Sequence, residues 1–369
     1  MKNFIIARNT IPVIFLIILT SCLTYDPLKM PFKTYTPPNL GDGWDISSPD
    51  AESIDGDVLK NIYQYVHSED NLWQIRSLLV FRNGKLVAES YMKDNSDRTT
   101  PRVIWSCTKQ VTGILTGIAV NNDLISINDT IQDHLPKYAS RYPNKSHITI
   151  EHLLTMKSGI DIALDGSNSL QAEFAKEKHS SSLDYIFGLG MHSQPGTRYR
   201  YNDGDPFILS AIIQAATGKA MRDWGKEVLF DRIGINNLRW LNYKDGITFG
   251  GYGIYTTPRE LGKFGQLILN DGWWNSKEIV SLDWINLMLT KRVPGTETFN
   301  SNMSFGYQWW IETDRDLYIM WGYGGQLVLI NKHKDLIVVV TGENRLSGDF
   351  NMSLPDVLAV YDRINSIAN

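Results

Sequence analysis

Cysteine and excess basic charge are both scarce in this chain of 369 residues. It has two cysteines, Cys22 and Cys107, so a framework of several disulfides of the kind that stabilises small secreted domains is excluded. Its 36 lysines and arginines are outnumbered by 40 aspartates and glutamates, which gives a formal net charge of −4. Because nucleic-acid binders usually present a basic surface to the phosphates, the composition argues against nucleic acid as a partner.

Several common catalytic and cofactor-binding motifs are also missing. The seven histidines show neither the His-x-His nor the His-x-x-x-His spacing of zinc sites. There is no Gly-x-Ser-x-Gly element, which α/β-hydrolases use to present their serine. The glycines between residues 322 and 325 do not complete a dinucleotide-binding fingerprint and come too late in the chain. We therefore expect neither a metal nor an organic cofactor.

The first residues are typical of an export signal. Two basic residues precede an apolar run over residues 11–19, which is too short to span a bilayer stably. The following Leu19-Thr20-Ser21-Cys22 resembles the bacterial lipobox, in which the cysteine is lipidated and becomes the mature N-terminus. This resemblance implies a signal peptide at residues 1–21 and a lipid anchor on Cys22 that holds the protein to a membrane of the cell envelope. The alternative is ordinary signal cleavage that leaves Cys22 as a thiol.

The distribution of proline, glycine and apolar runs predicts the organisation of the rest. Residues 22–50 contain five prolines and a Gly-Asp-Gly cluster and are predicted to be a tether, with one folded domain over residues 51–369. Two apolar runs on either side of Asn83-Gly84 predict a β-hairpin. Residues 326–331 and 336–341 predict a second pair of strands, and a helix over residues 355–368 follows. Strands at both ends with helices between them indicate an α/β sandwich with a mostly helical insert.

Ser106 and Lys109 form a Ser-x-x-Lys pair at the start of a predicted helix. Residues three apart lie on one helical face, so the amine can reach the hydroxyl, and the helix dipole favours an oxyanion at its N-terminus. A serine hydroxyl is a weak nucleophile at neutral pH, and a lysine can take its proton only if desolvation or nearby charge lowers the pKa of the amine. The pair is therefore a candidate nucleophile and base. An ordinary polar first turn with a solvated lysine has the same pattern, so the motif alone does not decide.

Further segments resemble, in the same order, the serine β-lactamases of class C and their relatives, which include esterases, D-alanyl-D-alanine peptidases and hydrolases of 6-aminohexanoate oligomers. Residues 195–203, Pro-Gly-Thr-Arg-Tyr-Arg-Tyr-Asn-Asp, are similar to the family element Pro-Gly-x-x-x-x-Tyr-x-Asn, with Tyr201 at the family tyrosine. Blocks at residues 105–136, 153–159, 256–261 and 324–326 also resemble the family. The resemblance covers about residues 51–365. It implies the β-lactamase/transpeptidase-like α/β (α+β) fold, an antiparallel sheet flanked by helices with a mostly helical insert.

The resemblance also assigns roles to residues. It implies that Lys109 and Tyr201 act as a coupled base for Ser106, with the lysine ammonium lowering the pKa of the phenol. Which of the two carries the proton is left open, because strongly coupled groups share their pKa values. The backbone N–H groups of Ser106 and Tyr323 would form the oxyanion hole.

Two positions depart from the family pattern. Met320-Trp321-Gly322 falls where the family usually has Lys-Thr-Gly or His-Thr-Gly. Because methionine cannot hold a substrate carboxylate, we expect these three residues to line a pocket for neutral esters or amides. Asp203 stands where the β-lactamases often have Asn, and a carboxylate cannot donate to a substrate carbonyl. Asp203 is therefore either a substrate contact of another kind or a turn residue.

These residues predict an exported, lipid-anchored serine hydrolase that acts on a small-molecule ester or amide through an acyl-enzyme. One alternative is a true β-lactamase or D-alanyl-D-alanine carboxypeptidase. Another is a catalytically silent cell-surface binding protein on the same scaffold.

Overall fold

The computed structural model of the chain describes residues 29–164, 169–298, 300–343 and 353–369. The predicted signal peptide and Cys22 lie outside these ranges. Within the described ranges, no helix is both long enough and apolar enough to span a membrane.

An eight-stranded sheet forms the centre of the molecule. Its strands run in the spatial order β1-β3-β2-β13-β12-β11-β10-β9. They are β1 (Asp45–Ile46), β2 (Ile75–Arg82), β3 (Lys85–Tyr91), β9 (Met303–Phe305), β10 (Trp310–Glu312), β11 (Leu317–Gly322), β12 (Gln326–Asn331) and β13 (Leu336–Gly342). Five shorter strands form two small sheets: β4 (Arg102–Val103), β5 (Arg239–Trp240) and β6 (Ile254–Thr256), then β7 (Trp273–Trp274) and β8 (Lys277–Glu278). All neighbours in the large sheet are antiparallel except β1 and β3.

The sheet joins segments from both ends of the chain, as the sequence predicts. The β2–β3 hairpin turns at Asn83 and Gly84, whose φ angles of 50° and 75° are both left-handed, and this explains the Asn-Gly pair. The predicted strands near the C-terminus are β12 and β13, and β13 pairs with β2, which precedes it by more than 250 residues. This pairing closes the chain into one domain.

Helices cover both faces of the sheet. They are α1 (Gly56–Ser68), α2 (Cys107–Asn121), α3 (Ile131–His134), α4 (Pro136–Arg141), α5 (Ile150–Leu154), α6 (Leu170–Ala175), α7 (Ser182–Gly188), α8 (Gly204–Thr217), α9 (Met221–Gly225), α10 (Pro258–Leu269), α11 (Leu282–Met288) and α12 (Leu354–Ile367). Strand β2 shows the two layers, because Leu79 and Phe81 pack with α2, α8 and α10, whereas Leu78 and Val80 pack with α1 and α12. The region from α2 to α11 is the mostly helical insert, and α12 is the predicted final helix.

Helix α2 is the central element of the insert. Thirteen of its fifteen residues are buried, and it packs against α8, α11 and β11. A helix that is buried on nearly all sides is held rigidly. Its N-terminal residues are therefore placed with little freedom beside β11.

The N-terminal segment differs from the prediction. Residues 29–50 pack on the domain: the backbone N–H of Met30 donates to the carbonyl of Met92, that of Glu89 donates to the carbonyl of Tyr35, and Trp44 is 5% exposed. Strand β1 also lies in this segment and extends the sheet. The folded part of the chain therefore begins before residue 51, and residues 29–50 are not a free tether.

Candidate active site

Ser106 lies at a constrained junction between β4 and α2. It precedes the first residue of α2, and Trp105 before it has a φ of 48°, a left-handed conformation that is rare for a bulky side chain. Such a residue costs on the order of 1–3 kcal/mol and persists only where its surroundings hold it. Gly322 is part of these surroundings, because a Cβ there would lie 2.2 Å from the carbonyl oxygen of Ile104. The end of β11 thus packs directly on the turn that presents Ser106.

Lys109 reaches Ser106 from the first turn of α2. Its Nζ lies 3.0 Å from Ser106 Oγ, 2.9 Å from the carbonyl oxygen of Gly251 and 2.5 Å from Asp203 Oδ1. The lysine side chain has no exposed surface, and that of Asp203 is 2% exposed. The ammonium therefore contacts the nucleophile, a carbonyl and a carboxylate, and makes no contact with solvent.

Tyr201 completes the predicted trio. Its ring lies 4.8 Å from Lys109 Nζ, and its hydroxyl is within hydrogen-bonding reach of both Ser106 and Lys109. The ring packs 5.4 Å from that of Trp310 and edge-on to that of Phe305. The structure therefore brings Ser106, Lys109 and Tyr201 together from two segments that lie more than 90 residues apart.

The charges of this trio differ from the prediction. Burial disfavours the ammonium of Lys109, but the charge of Asp203 and the phenol of Tyr201 outweigh it, so the pKa of Lys109 is raised. For Tyr201 burial is the largest cause and raises the pKa of the phenol, although Lys109 and Ser106 each pull it down. The prediction of a lowered phenol pKa is therefore wrong for the resting site. Lys109 rests as an ammonium and Tyr201 as a neutral phenol.

Asp203 is neither a turn residue nor an open substrate contact. Its Oδ1 accepts from Lys109, and its Oδ2 accepts from Gln171 Nε2 at 3.1 Å. The turn is made by Asn202, whose Oδ1 accepts from the backbone N–H groups of Gly204 and Asp205. Sequence reasoning missed both this role of Asp203 and the contact from Gln171. One signal was available, because a lysine buried in an apolar helix needs an acidic partner.

The predicted oxyanion hole lies where Ser106 and the end of β11 meet. Tyr323 follows Gly322, and its ring packs edge-on against that of Trp105 at 5.8 Å. Within the described residues, the backbone N–H groups of Ser106 and Tyr323 donate to no backbone carbonyl. Both residues are partly exposed, and these two N–H groups remain the predicted oxyanion hole.

Residues 320–322, which stand where the family usually has Lys-Thr-Gly or His-Thr-Gly, are placed differently from the prediction. Met320 has no exposed surface and belongs to the core beneath α2, so the prediction that it lines the pocket is wrong. Trp321 points to the other face of β11 and is partly exposed, with its ring 5.5 Å from that of Trp310. Gly322 is needed for the close approach to Ile104 described above. Tyr201, the buried Trp310 and Trp321 therefore form a continuous row of packed rings that begins beside the nucleophile.

Cys107, next to the nucleophile, does not compete with it. The thiol is buried and free, and its Sγ donates to the carbonyl of Gln326 at 3.2 Å. Burial raises the pKa of Cys107 well above its usual range. A thiol held in the neutral form is a poor nucleophile. Elsewhere in the described ranges, no three histidine, cysteine or acidic side chains are grouped so that they could hold a metal ion.

Comparison with known proteins agrees with this geometry. The pattern that defines the Beta-lactamase family matches residues 75–352. Protein flp of Staphylococcus aureus is 27% identical over 149 residues, which make up 38% of this chain and 30% of that protein. The matched part thus spans less than a third of that relative's length.

Solved structures extend the likeness over nearly the whole chain. One described as a 6-aminohexanoate-dimer hydrolase from Bacillus anthracis superposes with a TM-score of 0.70 at 19% identity, and the match covers 92% of this chain and 89% of that one. EstCE1, described as a hydrolase with promiscuous acyltransferase activity, gives 0.66 at 16% identity over 84% of this chain and 97% of its own. These likenesses confirm the predicted fold. Because the family pattern spans most of the sequence, the chain belongs to the Beta-lactamase family and is a serine hydrolase.

Proposed function

We propose that this protein is an exported, lipid-anchored serine hydrolase that forms an acyl-enzyme on Ser106 with a carboxylic ester or a small amide. The observation that supports this most directly is the 3.0 Å contact between Ser106 Oγ and Lys109 Nζ, with the Tyr201 hydroxyl in reach of both. A nucleophile and its base are then in contact, and the backbone N–H groups of Ser106 and Tyr323 are the proposed oxyanion hole.

Asp203 determines which group acts as the base. The reactive form of the pair has lost one proton, either from Lys109 or from Tyr201. Because the Asp203 carboxylate contacts Lys109 directly, it favours the form with the charge kept on the ammonium. The negative charge then lies on the oxygen of Tyr201, beside Ser106. Tyr201 is therefore the proton acceptor, and Lys109 stabilises the phenolate.

The reaction follows from these positions. Tyr201 takes the proton of Ser106 as Oγ attacks the substrate carbonyl carbon, and the oxyanion is held by the N–H groups of Ser106 and Tyr323. Tyr201 returns the proton to the leaving alcohol or amine as the bond to it breaks. Water then attacks the acyl-enzyme in the same way, with its proton passing through Tyr201 to Ser106 Oγ.

The walls of the site favour neutral substrates. Met320 stands in place of the family's lysine or histidine and is buried in the core, so it supplies no charge for a substrate carboxylate. Trp321, which is partly exposed and packs on the buried Trp310, instead offers an aromatic surface. A neutral acyl chain or ring fits such a wall better than a carboxylate does. The names of two structural neighbours, a 6-aminohexanoate-dimer hydrolase and a hydrolase with promiscuous acyltransferase activity, agree with the proposed hydrolysis through an acyl-enzyme.

Active-site labelling tests the nucleophile. A fluorophosphonate probe should label the wild-type protein and fail to label Ser106→Ala, whereas Ser96→Ala, which changes an exposed serine, should label normally. Mass spectrometry of the protein mixed with p-nitrophenyl esters of graded chain length should show an acyl adduct on the peptide that carries Ser106. Equal labelling of Ser106→Ala would refute the assignment.

The same preparation separates the alternatives. Fast nitrocefin turnover or a stable penicillin adduct would favour a β-lactamase or a D-alanyl-D-alanine carboxypeptidase over the ester hydrolase. Absence of labelling and of ester hydrolysis in a folded wild type would favour a silent binding protein. The anchor has its own test, since metabolic labelling with a fatty acid should mark the wild type and not Cys22→Ser.

A further inference from the structure

A second cavity lies far from Ser106 and is built mainly from polar side chains. Its volume is about 370 Å³. Its walls come from five separate segments: the β1 region, the β2–β3 turn, the C-terminal end of α10, the β7–β8 hairpin and the β12–β13 turn. A cavity of this size can hold one ring of a small ligand.

The cavity is at the opposite end of the sheet from the nucleophile. Residues 323–325, beside Ser106, join β11 to β12, whereas Asp335 follows β12 at its other end and lines the cavity. Six residues of strand separate the two ends, a distance of roughly 20 Å. A ligand in this cavity would not touch the acyl group on Ser106.

The polar groups of the cavity are suited to hydroxyl groups. Gln266 is 6% exposed, and its Nε2 donates to Asn270 Oδ1 at 2.9 Å, but its Oε1 has no hydrogen-bond partner within the described residues. Asn83, Asn270 and Asn275 add three further amides to the lining, and Asn83 Nδ2 donates to Glu52 Oε2 at 3.1 Å. These groups can both donate to and accept from a hydroxyl.

The charges of the cavity exclude anions. Asp45 and Asp335 line it, and no lysine or arginine does. The two lysines nearest to Asp335 in sequence are engaged elsewhere, since Lys332 pairs with Asp271 and Lys334 donates to the carbonyls of Asn365 and Ala368. A phosphate or carboxylate ligand would be repelled, whereas hydroxyl groups can donate to the two carboxylates.

One wall is aromatic. Trp274 is partly exposed and lines the cavity. Its ring is backed edge-on by Trp44 at 6.4 Å, and Trp44 is fixed by a hydrogen bond from Nε1 to the carbonyl of Arg259. Trp273, the preceding residue of β7, is 46% exposed and does not line the cavity. The ligand therefore meets a held tryptophan face on one side and amide and carboxylate groups on the others.

We propose that this cavity binds one neutral pyranose ring of a saccharide. Such a ring has an apolar C–H face that stacks on an indole, and equatorial hydroxyls that both donate and accept. The tryptophan wall, the amides and the two aspartates of the cavity together fit such a ring. The protein thus has a saccharide-binding site that is separate from its hydrolytic site.

Saturation-transfer NMR on the full mature protein tests the proposal, with methyl β-glucoside and methyl N-acetyl-β-glucosaminide as probes at millimolar concentration. The wild type should transfer saturation to the ring protons of at least one glycoside. Trp274→Ala should weaken binding by about tenfold or more, and Asn270→Ala, at an exposed position, should weaken it without affecting folding. Trp273→Ala is the matched control and should bind like the wild type. Ester hydrolysis should be unchanged in all three variants.

The outcomes separate this proposal from its competitors. Binding that is lost in Trp274→Ala and Asn270→Ala but kept in Trp273→Ala supports it. No transfer to either glycoside, equal weakening in all three variants, or complete displacement of the glycoside by calcium chloride or spermidine would overturn it. Because the readout is binding rather than hydrolysis, the result does not depend on whether Ser106 is the nucleophile.

Discussion

Two ion pairs in this protein, Lys109–Asp203 and Arg259–Glu89, are buried to the same degree but have different surroundings. The side chains are 0% and 2% exposed in the first pair and 2% and 0% in the second. Taking either pair out of water carries a large desolvation cost, so burial alone does not distinguish a functional pair from a structural one.

The Arg259–Glu89 pair is saturated by partners that do no chemistry. Arg259 Nε and Nη2 donate to the two carboxylate oxygens of Glu89 at 2.8 and 2.9 Å, and its other N–H groups reach Asp42 and the carbonyl of Pro38. Arg98 Nε donates a further hydrogen bond to Glu89 Oε1. This bidentate network joins α10 and β3 to the N-terminal segment, and all of its groups are satisfied.

The Lys109–Asp203 pair instead has a reactive group among its partners. Lys109 donates one hydrogen bond to the Asp203 carboxylate and another to Ser106 Oγ. The ammonium of Lys109 therefore acts directly on the serine and on the phenol that takes its proton, whereas the guanidinium of Arg259 touches no reacting group. A buried ion pair indicates chemistry when one of its partners also contacts a nucleophile and its base, and indicates architecture when its partners contact only groups that do not react.

The largest effect should come from Lys109→Met. We expect kcat/KM for p-nitrophenyl esters to fall by about 10³ or more because the serine loses the cation beside its base, and the free energy of unfolding to fall by about 3–5 kcal/mol because Asp203 is left buried without its cation. Lys263 is the matched control, since it is 1% exposed but donates only to the backbone carbonyls of Asp42 and Gly234. Lys263→Met should lose stability while kcat/KM per folded molecule stays near that of the wild type.

Arg259→Met should lower the stability of the protein without lowering its activity. Removing the guanidinium leaves Glu89 buried beside Tyr91, and we expect a loss of about 3–5 kcal/mol in denaturant unfolding, with kcat/KM of the folded fraction unchanged. Arg259→Lys keeps the positive charge but cannot make the two parallel hydrogen bonds to the carboxylate. Its free energy of unfolding should therefore lie between those of the wild type and Arg259→Met. A large fall in kcat/KM without loss of stability would mean that the network acts on the active site.

Local patterns explain which parts of the fold and site the sequence predicts. Several features depend only on residues that are neighbours in sequence. They are the Asn83-Gly84 turn, strands β12 and β13, helix α12 and the spacing of Ser106 and Lys109. The position of Tyr201 follows only from the family resemblance, because nothing local marks one tyrosine among seventeen.

Features that depend on distant contacts could not be read in this way. Lys109 and Asp203 lie 94 residues apart, and their pairing raises the pKa of the lysine where the motif alone suggests a lowered one. Met320 and Trp321 alternate along β11, but the side of the sheet that holds the core is set by packing. The prolines of residues 29–50 suggest a tether, yet Trp44 anchors that segment by a hydrogen bond to α10.

Asp205 sharpens the comparison because it is buried two residues after Asp203 and has no cation. Its Oδ2 accepts from the backbone N–H of Ser158 at 3.4 Å, and burial raises its pKa to about 7. The folded protein thus holds a proton between pH 4 and 7 that the unfolded chain, with an ordinary carboxyl, has released. The stability contributed by this group is present at low pH and is lost as the pH rises to 7.

Asp205→Asn should remove that dependence. At pH 8 the variant should be more stable than the wild type by on the order of 3 kcal/mol, and the two should converge near pH 4. Urea unfolding at a series of pH values measures this. A wild-type stability that rises between pH 4 and 7 as much as that of the variant would show that Asp205 is ionised in the folded state.

The smallest and most specific effect should come from Asp203→Asn, which restores the residue that the β-lactamases often have. The Asp203 charge raises the pKa of Lys109 and also that of Tyr201, so its removal lowers both. Whichever group takes the serine proton, the acid limb of the kcat/KM profile should move to lower pH. The plateau should fall by about tenfold, because Lys109 loses the contact that fixes its position beside Ser106.

A surface carboxylate provides the control for this shift. Asp161 is 54% exposed and pairs with Arg200, so Asp161→Asn removes the same charge without touching Lys109 and should leave the acid limb in place. If Asp203→Asn lowers the plateau but does not move the limb, Asp203 only positions Lys109, as Glu89 positions Arg259. If the limb moves, the carboxylate sets the proton affinity of the base, and the substitution of Asp for Asn in this chain adjusts the pH at which Ser106 becomes reactive.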